Sequence, residues 1–326
     1  MKRMLIGDTH LGIKNDDTLY SGIILNVFRR LCDYAKQNNI KELIHAGDFF
    51  DVRRSIGVRT IPIAFEILKM LQDTFEMSYL ITGNHDLYYK NQMKPSSLQI
   101  FDNKKNISVI SESTIIDNIH LEPWVIDEFV PQPVDYLIGH FEMSGIIINR
   151  VGTKSVGGLS PTLFKKYKKV MSGHYHTRSE MYLGSPFHMS FNDDGERGFY
   201  TFDDDNGELE FIPFTEAPKF LIFEHDKIDF NIVAGNNVKI VFTKDIGTTK
   251  INNITNKVLE QNPIQFFVEF NFDETFTDEN ICDSVESIID IRTIEKKYID
   301  KAELPDHIDR KMLDSHLNIL WEKLRG

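Results

Sequence analysis

Two hydrophobic patterns alternate along the first hundred residues. Apolar runs at 3–7, 42–46 and 77–82 have strand length, and each breaks off in a small polar pair: Gly7-Asp8, Gly47-Asp48 and Gly83-Asn84. Between them apolar residues recur every three or four positions, at Ile24, Val27, Phe28, Leu31 and Ala35 within 20–37 and at Ile63, Ile67 and Leu71 within 59–71. That spacing draws one apolar stripe down a helix. Strand, helix, strand, helix, strand in that order predicts a largely parallel sheet with helices on its faces. From 105 to 215 the pattern changes to short strands with turn residues between them, at 107–110, 114–119, 134–138, 170–172, 199–202 and 209–212. These predict a second sheet packed on the first. Pro213 and Pro218 flank the best boundary, at 214–219, beyond which 238–242 and 266–270 read as strands of a small cap. Two amphipathic helices, at 281–301 and 305–324, are predicted to end the chain. The second aligns Ile308, Met312, Leu313, Leu317, Leu320, Trp321 and Leu324 on one stripe.

The length of 326 residues suits one main domain with a smaller companion, and 41% hydrophobic residues suffice for a sizeable core. Cys32 and Cys282 are too far apart for a metal knuckle or a disulfide framework, which fits a reducing compartment. The apolar run after Met1-Lys2-Arg3 stops at Gly7-Asp8, too short for a signal peptide, and no run of about 18 apolar residues follows. A protein of the cytoplasm is expected, with no membrane partner. The net charge of −12 sits awkwardly with a role on nucleic acid, since counterion release supplies most non-specific affinity for DNA. Acidic stretches such as Asp203-Asp204-Asp205 account for part of it, and bound divalent cations would add positive charge that the sum omits.

The chemistry sits in five short pieces: Asp8-Thr9-His10, Gly47-Asp48, Gly83-Asn84-His85-Asp86, Gly139-His140 and Gly173-His174-Tyr175-His176. Each follows an apolar run of strand character. Ligands of open α/β sheets bind beyond the carboxyl ends of strands, so the five are expected on one rim. Any one alone is weak, because Asp-x-His occurs on many loops and Gly-Asn favours turns. Five in order at strand ends are hard to obtain from turns. Alternation along an extended Asp8-Thr9-His10 would send both side chains the same way. A carboxylate has two oxygens and can bridge two cations, and Asp48 is the natural bridge; Asn84 offers a neutral amide oxygen. Imidazole nitrogens favour Mn, Fe or Zn over Mg or Ca. Two such ions about 3.5–4 Å apart can activate water and stabilise a phosphoryl group in transfer.

Together these pieces resemble the calcineurin-like metallophosphoesterases, and further the SbcD-type DNA repair nucleases and the recombination endonuclease subunits of T4-like phages. The finer likeness lies in Gly47-Asp48-Phe49-Phe50-Asp51, Gly139-His140-Phe141-Glu142, Tyr182-Leu183-Gly184-Ser185-Pro186, Ser190-Phe191 and Arg197-Gly198-Phe199. It covers about residues 1–215. The resemblance implies an α/β fold, a four-layer α/β/β/α sandwich at 1–215, with a small α/β capping, DNA-binding domain at 216–278 and a C-terminal helical segment at 279–326. It implies two Mn2+ ions per chain, one held by Asp8, His10, Asp48 and His176, the other by Asp48, Asn84, His140 and His174. His85 would contact the scissile phosphate and assist the leaving oxygen, with Asp86 as its orienting partner. Implied partners are DNA, an SMC-like ATPase of SbcC type gripped by the terminal helices, and a second copy of the chain docked through helices near 58–103. The implied activity is exonuclease and endonuclease cleavage in double-strand-break processing and recombination. Asp51, a histidine in some relatives, is given no catalytic role.

Other residues weigh less. His45 reads as a satisfied sheet histidine, His120 and His188 as structural, and His225, His307 and His316 as surface positions. Arg53 and Arg54 follow the second piece and are candidate DNA contacts, as are Lys165 and Lys166 in the densest basic run. Protein phosphatases of this superfamily read Gly-Asp-x-Val-Asp-Arg-Gly and Gly-Asn-His-Glu, which Phe50, Val52 and Asp86 contradict. A small-nucleotide phosphoesterase or a non-catalytic scaffold are the alternatives; a cap disfavours the first and a full ligand set the second.

Overall fold

A computed structural model of the chain describes residues 1–147, 152–193 and 195–271. The chain forms two compact units, Met1–Ile222 with Gly235–Val238, and Phe223–Ala234 with the chain from Lys239 onward. The helices expected at 281–301 and 305–324 lie outside the described residues. Among the described residues no helix is long and apolar enough to cross a membrane.

The first unit begins with β1 (Lys2–Ile6), α1 (Thr18–Gln37), β2 (Glu42–His45), α2 (Thr60–Thr74) and β3 (Met77–Ile81). Asp17 starts α1 by accepting the Leu19 amide at 2.8 Å. Its stripe of Tyr20, Ile24, Val27, Phe28, Leu31 and Ala35 is buried, as are Ala64, Ile67, Leu68 and Leu71 of α2. Then follow β4 (Ile107–Ile110), β5 (Thr114–Ile116), β6 (Ile119–Glu122), β7 (Tyr136–His140), β8 (Lys169–Gly173), β9 (Gly198–Asp203) and β10 (Glu208–Pro213). The single strand expected at 114–119 is a hairpin, turned by Asp117-Asn118 with Asp117 at φ 48°.

Not all strands after 105 join a second sheet. Six strands form one sheet in the order β10-β9-β1-β2-β3-β4, and β5-β6-β7-β8 form the other. β1 to β4 run parallel, while β9 and β10 return antiparallel along β1. β6, β7 and β8 are also parallel. One face of the six-stranded sheet, through Met4, Ile6 and Leu43, packs under the helices. The other, through Leu5, Ile44 and Ile81, meets Ile119, Leu121, Ile138 and Met171 of the second sheet. The outer face of that second sheet, at Leu137 and Val170, is covered by Phe129, Phe141, Phe164 and Tyr167. Helix layer, sheet and sheet follow in the expected order, but among the described residues the outer layer holds no α-helix: it is largely irregular, with a short 3-10 turn at Pro161–Phe164.

In the second unit β12 (Asn237–Phe242) continues from the first, α3 (Thr248–Leu259) follows, and β13 (Gln265–Phe270) completes a three-stranded sheet, β11-β12-β13, with β11 at Phe220–Glu224. α3 was not legible as a helix in the sequence. His225, expected at the surface, is buried and stacked on Phe242 at 5.3 Å.

One charged side chain spans the first unit's sheets. Arg3 is fully buried in β1 and bonds Glu42 of β2 at 2.7 Å, Asp204 after β9 at 2.5 Å, and Asp117 in the β5–β6 turn. Guanidinium supplies five donors in a rigid fork, so three carboxylates from two sheets can be held at once. Replacing Arg3 by Ala leaves those carboxylates facing one another. A urea denaturation series should therefore show Arg3→Ala less stable by about 3 kcal/mol. A loss below about 1 kcal/mol, the worth of a surface pair, would contradict this role.

Candidate metal centre

Parallel strands align their carboxyl ends, and here the ends of five of them carry donor groups. Asp8 and His10 follow β1, Asp48 follows β2, Asn84 and His85 follow β3, His140 ends β7, and His174 and His176 follow β8. The expectation of an extended Asp8-Thr9-His10 does not hold. Asp8 and His10 have φ of 52° and 48°, so left-handed backbone, not strand alternation, turns both inward. Asp48 (φ 52°) and His174 (φ 95°) share it. Such conformations cost a non-glycine residue of order 1 kcal/mol or more and gather at functional sites. The bond from the Asp8 amide to the Gly47 carbonyl (3.0 Å) and from the His10 amide to the Asp48 carbonyl (3.1 Å) hold the first two loops together.

Glycine makes the crowding possible. A Cβ on Gly47 (φ 89°) would stand 2.3 Å from His140 Nδ1, and one on Gly173 would stand 2.3 Å from the Ala46 carbonyl oxygen. Neither position can carry a side chain without displacing His140 or the β2 end.

Three groups of donors result at this rim among the described residues: Asp8, His10 and His176; Asp48, His140 and His174; and His10, Asp51 and His85, with the donor atoms of each within 4.8 Å of one another. In the first, His10 Nε2 and His176 Nε2 face each other at 3.1 Å. In the second, the Asn84 Oδ1 lies 3.0 Å from His140 Nε2 and 2.9 Å from His174 Nδ1. Asp48 Oδ2 stands between these two groups, 3.2 Å from His140 Nε2 and 3.8 Å from His10 Nε2. Asp8 Oδ1 accepts the His174 amide at 2.8 Å, whereas its Oδ2 is buried with no hydrogen-bond partner. A buried orphan carboxylate oxygen and two imidazole nitrogens aimed at one point fit a cation better than any proton arrangement. The residues present thus suit divalent ions.

The surroundings fix ring orientations. His140 Nδ1 donates to the Ala46 carbonyl at 2.8 Å, turning Nε2 to the centre. His10 Nδ1 bonds the Asp51 carboxylate at 3.1 Å, and His85 Nδ1 donates to the Asp51 backbone carbonyl at 2.6 Å. Asp51 therefore orients both His10 and His85, a role the sequence did not disclose; its place three residues after Asp48 was the available signal. Asp86 is not the partner of His85. Its carboxylate is fully buried and accepts the amides of Gly83 (2.9 Å), Phe49 (3.3 Å) and Phe50 (3.0 Å), locking the second loop to the third.

Charge follows geometry. Burial works to lower the His140 pKa, but Asp48 and Asp8 outweigh it and raise the group to about 9. Burial, with His140 nearby, brings His174 down to about 3. Burial raises the pKa of Asp8 and Asp86, and the like charge of Asp48 raises both further. Burial likewise lowers His45 to about 3, and its Nε2 bonds the Thr9 hydroxyl at 3.0 Å, so it stays a neutral sheet residue.

Candidate DNA contacts divide. Arg53 and Arg54 follow Asp51 by two and three residues, Arg53 half-buried and Arg54 exposed. Lys165 and Lys166 are exposed but precede β8, at the end away from His174. Five strand residues separate them from the donor residues, about 15 Å at the usual rise.

This fold and donor set define a phosphoesterase. Residues 1–178 match the calcineurin-like phosphoesterase family, and the chain belongs to it; it is an enzyme of phosphoester hydrolysis whose fold calls for divalent metal ions. It is similar over 98% of its length to exonuclease subunit 1 of Enterobacteria phage T4, 31% identical with 98% of that protein covered. A shorter stretch, 25% of the chain and 21% of the relative, is 36% identical to the DNA double-strand break repair protein Mre11 of Saccharolobus solfataricus.

A cation held by His140 Nε2 would need its lone pair, yet both ring nitrogens face acceptors, and Asp48 and Asp8 raise the group's pKa to about 9. The pKa is raised, so proton and cation compete below pH 9 and affinity climbs as pH rises toward it. Titration calorimetry at pH 7.5 in buffers of different ionisation enthalpy should show about one proton released per chain on Mn2+ binding. Zero release would mean that His140 is not a ligand.

Proposed function

We propose that this chain is a Mn-dependent DNA nuclease with a two-metal centre, the exonuclease and endonuclease subunit of a double-strand-break processing and recombination complex. The observation that carries it is the single Asp48 oxygen standing between two histidine groups. One Mn2+ would be held by Asp8, His10, Asp48 and His176, the other by Asp48, Asn84, His140 and His174. Bound there, the ions supply acidity to an attacking water and neutralise charge developing on the phosphoryl oxygens.

The chain's own residues do the rest. His85 Nδ1 carries its hydrogen to a carbonyl, which can only accept, so Nε2 is the atom that takes or gives a proton. Half-buried and edge-on to His10 at 4.9 Å, His85 is the residue to protonate the leaving oxygen. Asp51 fixes its ring, and Asp86 fixes the loop that bears it. Arg53 and Arg54 would meet backbone phosphates beside the cut. The net charge of −12 argues that the chain does not hold DNA alone. An SMC-like ATPase of SbcC type, bound by residues 279–326, a second copy of the chain and the unit after 216 as a cap would complete the DNA path. The names of the relatives, an exonuclease subunit and a double-strand break repair protein, support this reading.

The test is incubation of the purified chain with end-labelled duplex and single strands, with Mn2+ or Mg2+, with and without the ATPase. Degradation in Mn2+ that the ATPase and ATP modulate is expected. His85→Gln should keep its metal and lose roughly 10²–10⁴-fold in rate, the size of an acid–base contribution. Loss of metal together with activity would make His85 a ligand; hydrolysis of small phosphodiesters but of no DNA would favour the small-nucleotide reading.

A further inference from the structure

Beside the second donor group stands a side chain that no metal role accounts for. The Trp124 ring lies 5.1 Å from that of His174 and 6.0 Å from that of His140, tilted by 46° and 58°. Its backbone N–H donates to the Thr82 carbonyl at 2.9 Å, two residues before Asn84, so the turn that carries a ligand also holds the indole. The side chain is half-buried, and among the described residues its ring N–H has no protein partner. Tryptophan that merely fills space is buried and satisfies its N–H. A partly exposed aromatic ring on a rigid support, beside the histidines of the centre, is what a planar ligand meets. Acidic neighbours, Asp127 and Glu128 exposed just beyond it, disfavour a phosphate there and leave a neutral base unaffected.

We propose that Trp124 stacks the nucleobase next to the scissile phosphate, making the centre selective for unpaired or frayed DNA ends. This rests on the nuclease reading above. Base stacking on an aromatic tolerates any sequence but needs the base freed from its own stack, so a single-stranded end reaches the centre at lower cost than an intact duplex.

Three measurements test it. For a single-stranded oligonucleotide in Mn2+, Trp124→Ala should raise KM by roughly 5–150-fold, the weight of one stacked base, and Trp124→Phe should recover most of it. The bound Mn2+ content should stay within about twofold of wild type for the same variants. The chain has two tryptophans, so in a Trp321→Phe background Trp124 is the sole reporter, and oligo(dT) should quench its emission. An unchanged oligonucleotide KM overturns the proposal. Parallel loss of metal also overturns it, since Trp124 would then only prop the histidines. Should the wild-type chain hydrolyse bis(p-nitrophenyl) phosphate yet neither cut nor bind oligonucleotides, the nuclease reading falls and this proposal with it.

Discussion

Donors from two separate sheets converge on a space a few ångströms wide, and the Asp48 carboxylate lies in the middle of it. Asp48 is fully enclosed, its Oδ2 within 3.2 Å and 3.8 Å of histidines from different donor groups, while its Oδ1 accepts the His85 amide at 2.7 Å. Burying a carboxylate is expensive unless cations and donors surround it. Burial would push its pKa up, yet the surrounding histidines, His140 first, hold it below the ordinary carboxylate value. Keeping that anion charged requires the six- and four-stranded sheets to stay face to face, which is why Arg3 at the far ends of the strands and the glycines at the near ends belong to one design.

The strain in the centre has the same origin. Asp8, His10, Asp48 and His174 all sit at positive φ because straight strand ends cannot aim side chains sideways into a gap between sheets. The backbone bonds between the first two loops and the three amides gathered by Asp86 offset that cost. Asp86 and Asp51 thus do structural work for the donor residues, Asp86 between the second and third loops and Asp51 at His10 and His85. One locks the backbone and the other sets the two rings.

The alternation of apolar runs and helical stripes was enough to read the βαβαβ start, and the five strand-end motifs were enough to name the donors, because both are local patterns. What failed was everything that depends on distance through space. Period-two reasoning put Asp8 and His10 in extended backbone, since nothing in Asp-Thr-His announces a left-handed turn. Asp86 looked like a partner for its neighbour His85, but its bonds reach into a loop 36 and 37 residues away. Lys165 and Lys166 looked close to His174 until a whole strand was seen to intervene. Trp124 belongs to no motif at all; it follows β6, whose parallel pairing with β7 brings it beside His140.

The central claim is that one Asp48 oxygen serves the first two donor groups. Electron paramagnetic resonance of the chain titrated with Mn2+ tests it directly. The account predicts saturation at two ions per chain with the broadened spectrum of a magnetically coupled pair, and loss of that coupling in Asp48→Asn. Two ions giving the spectrum of isolated Mn2+ in the wild type, or a coupled pair that survives in Asp48→Asn, would contradict it.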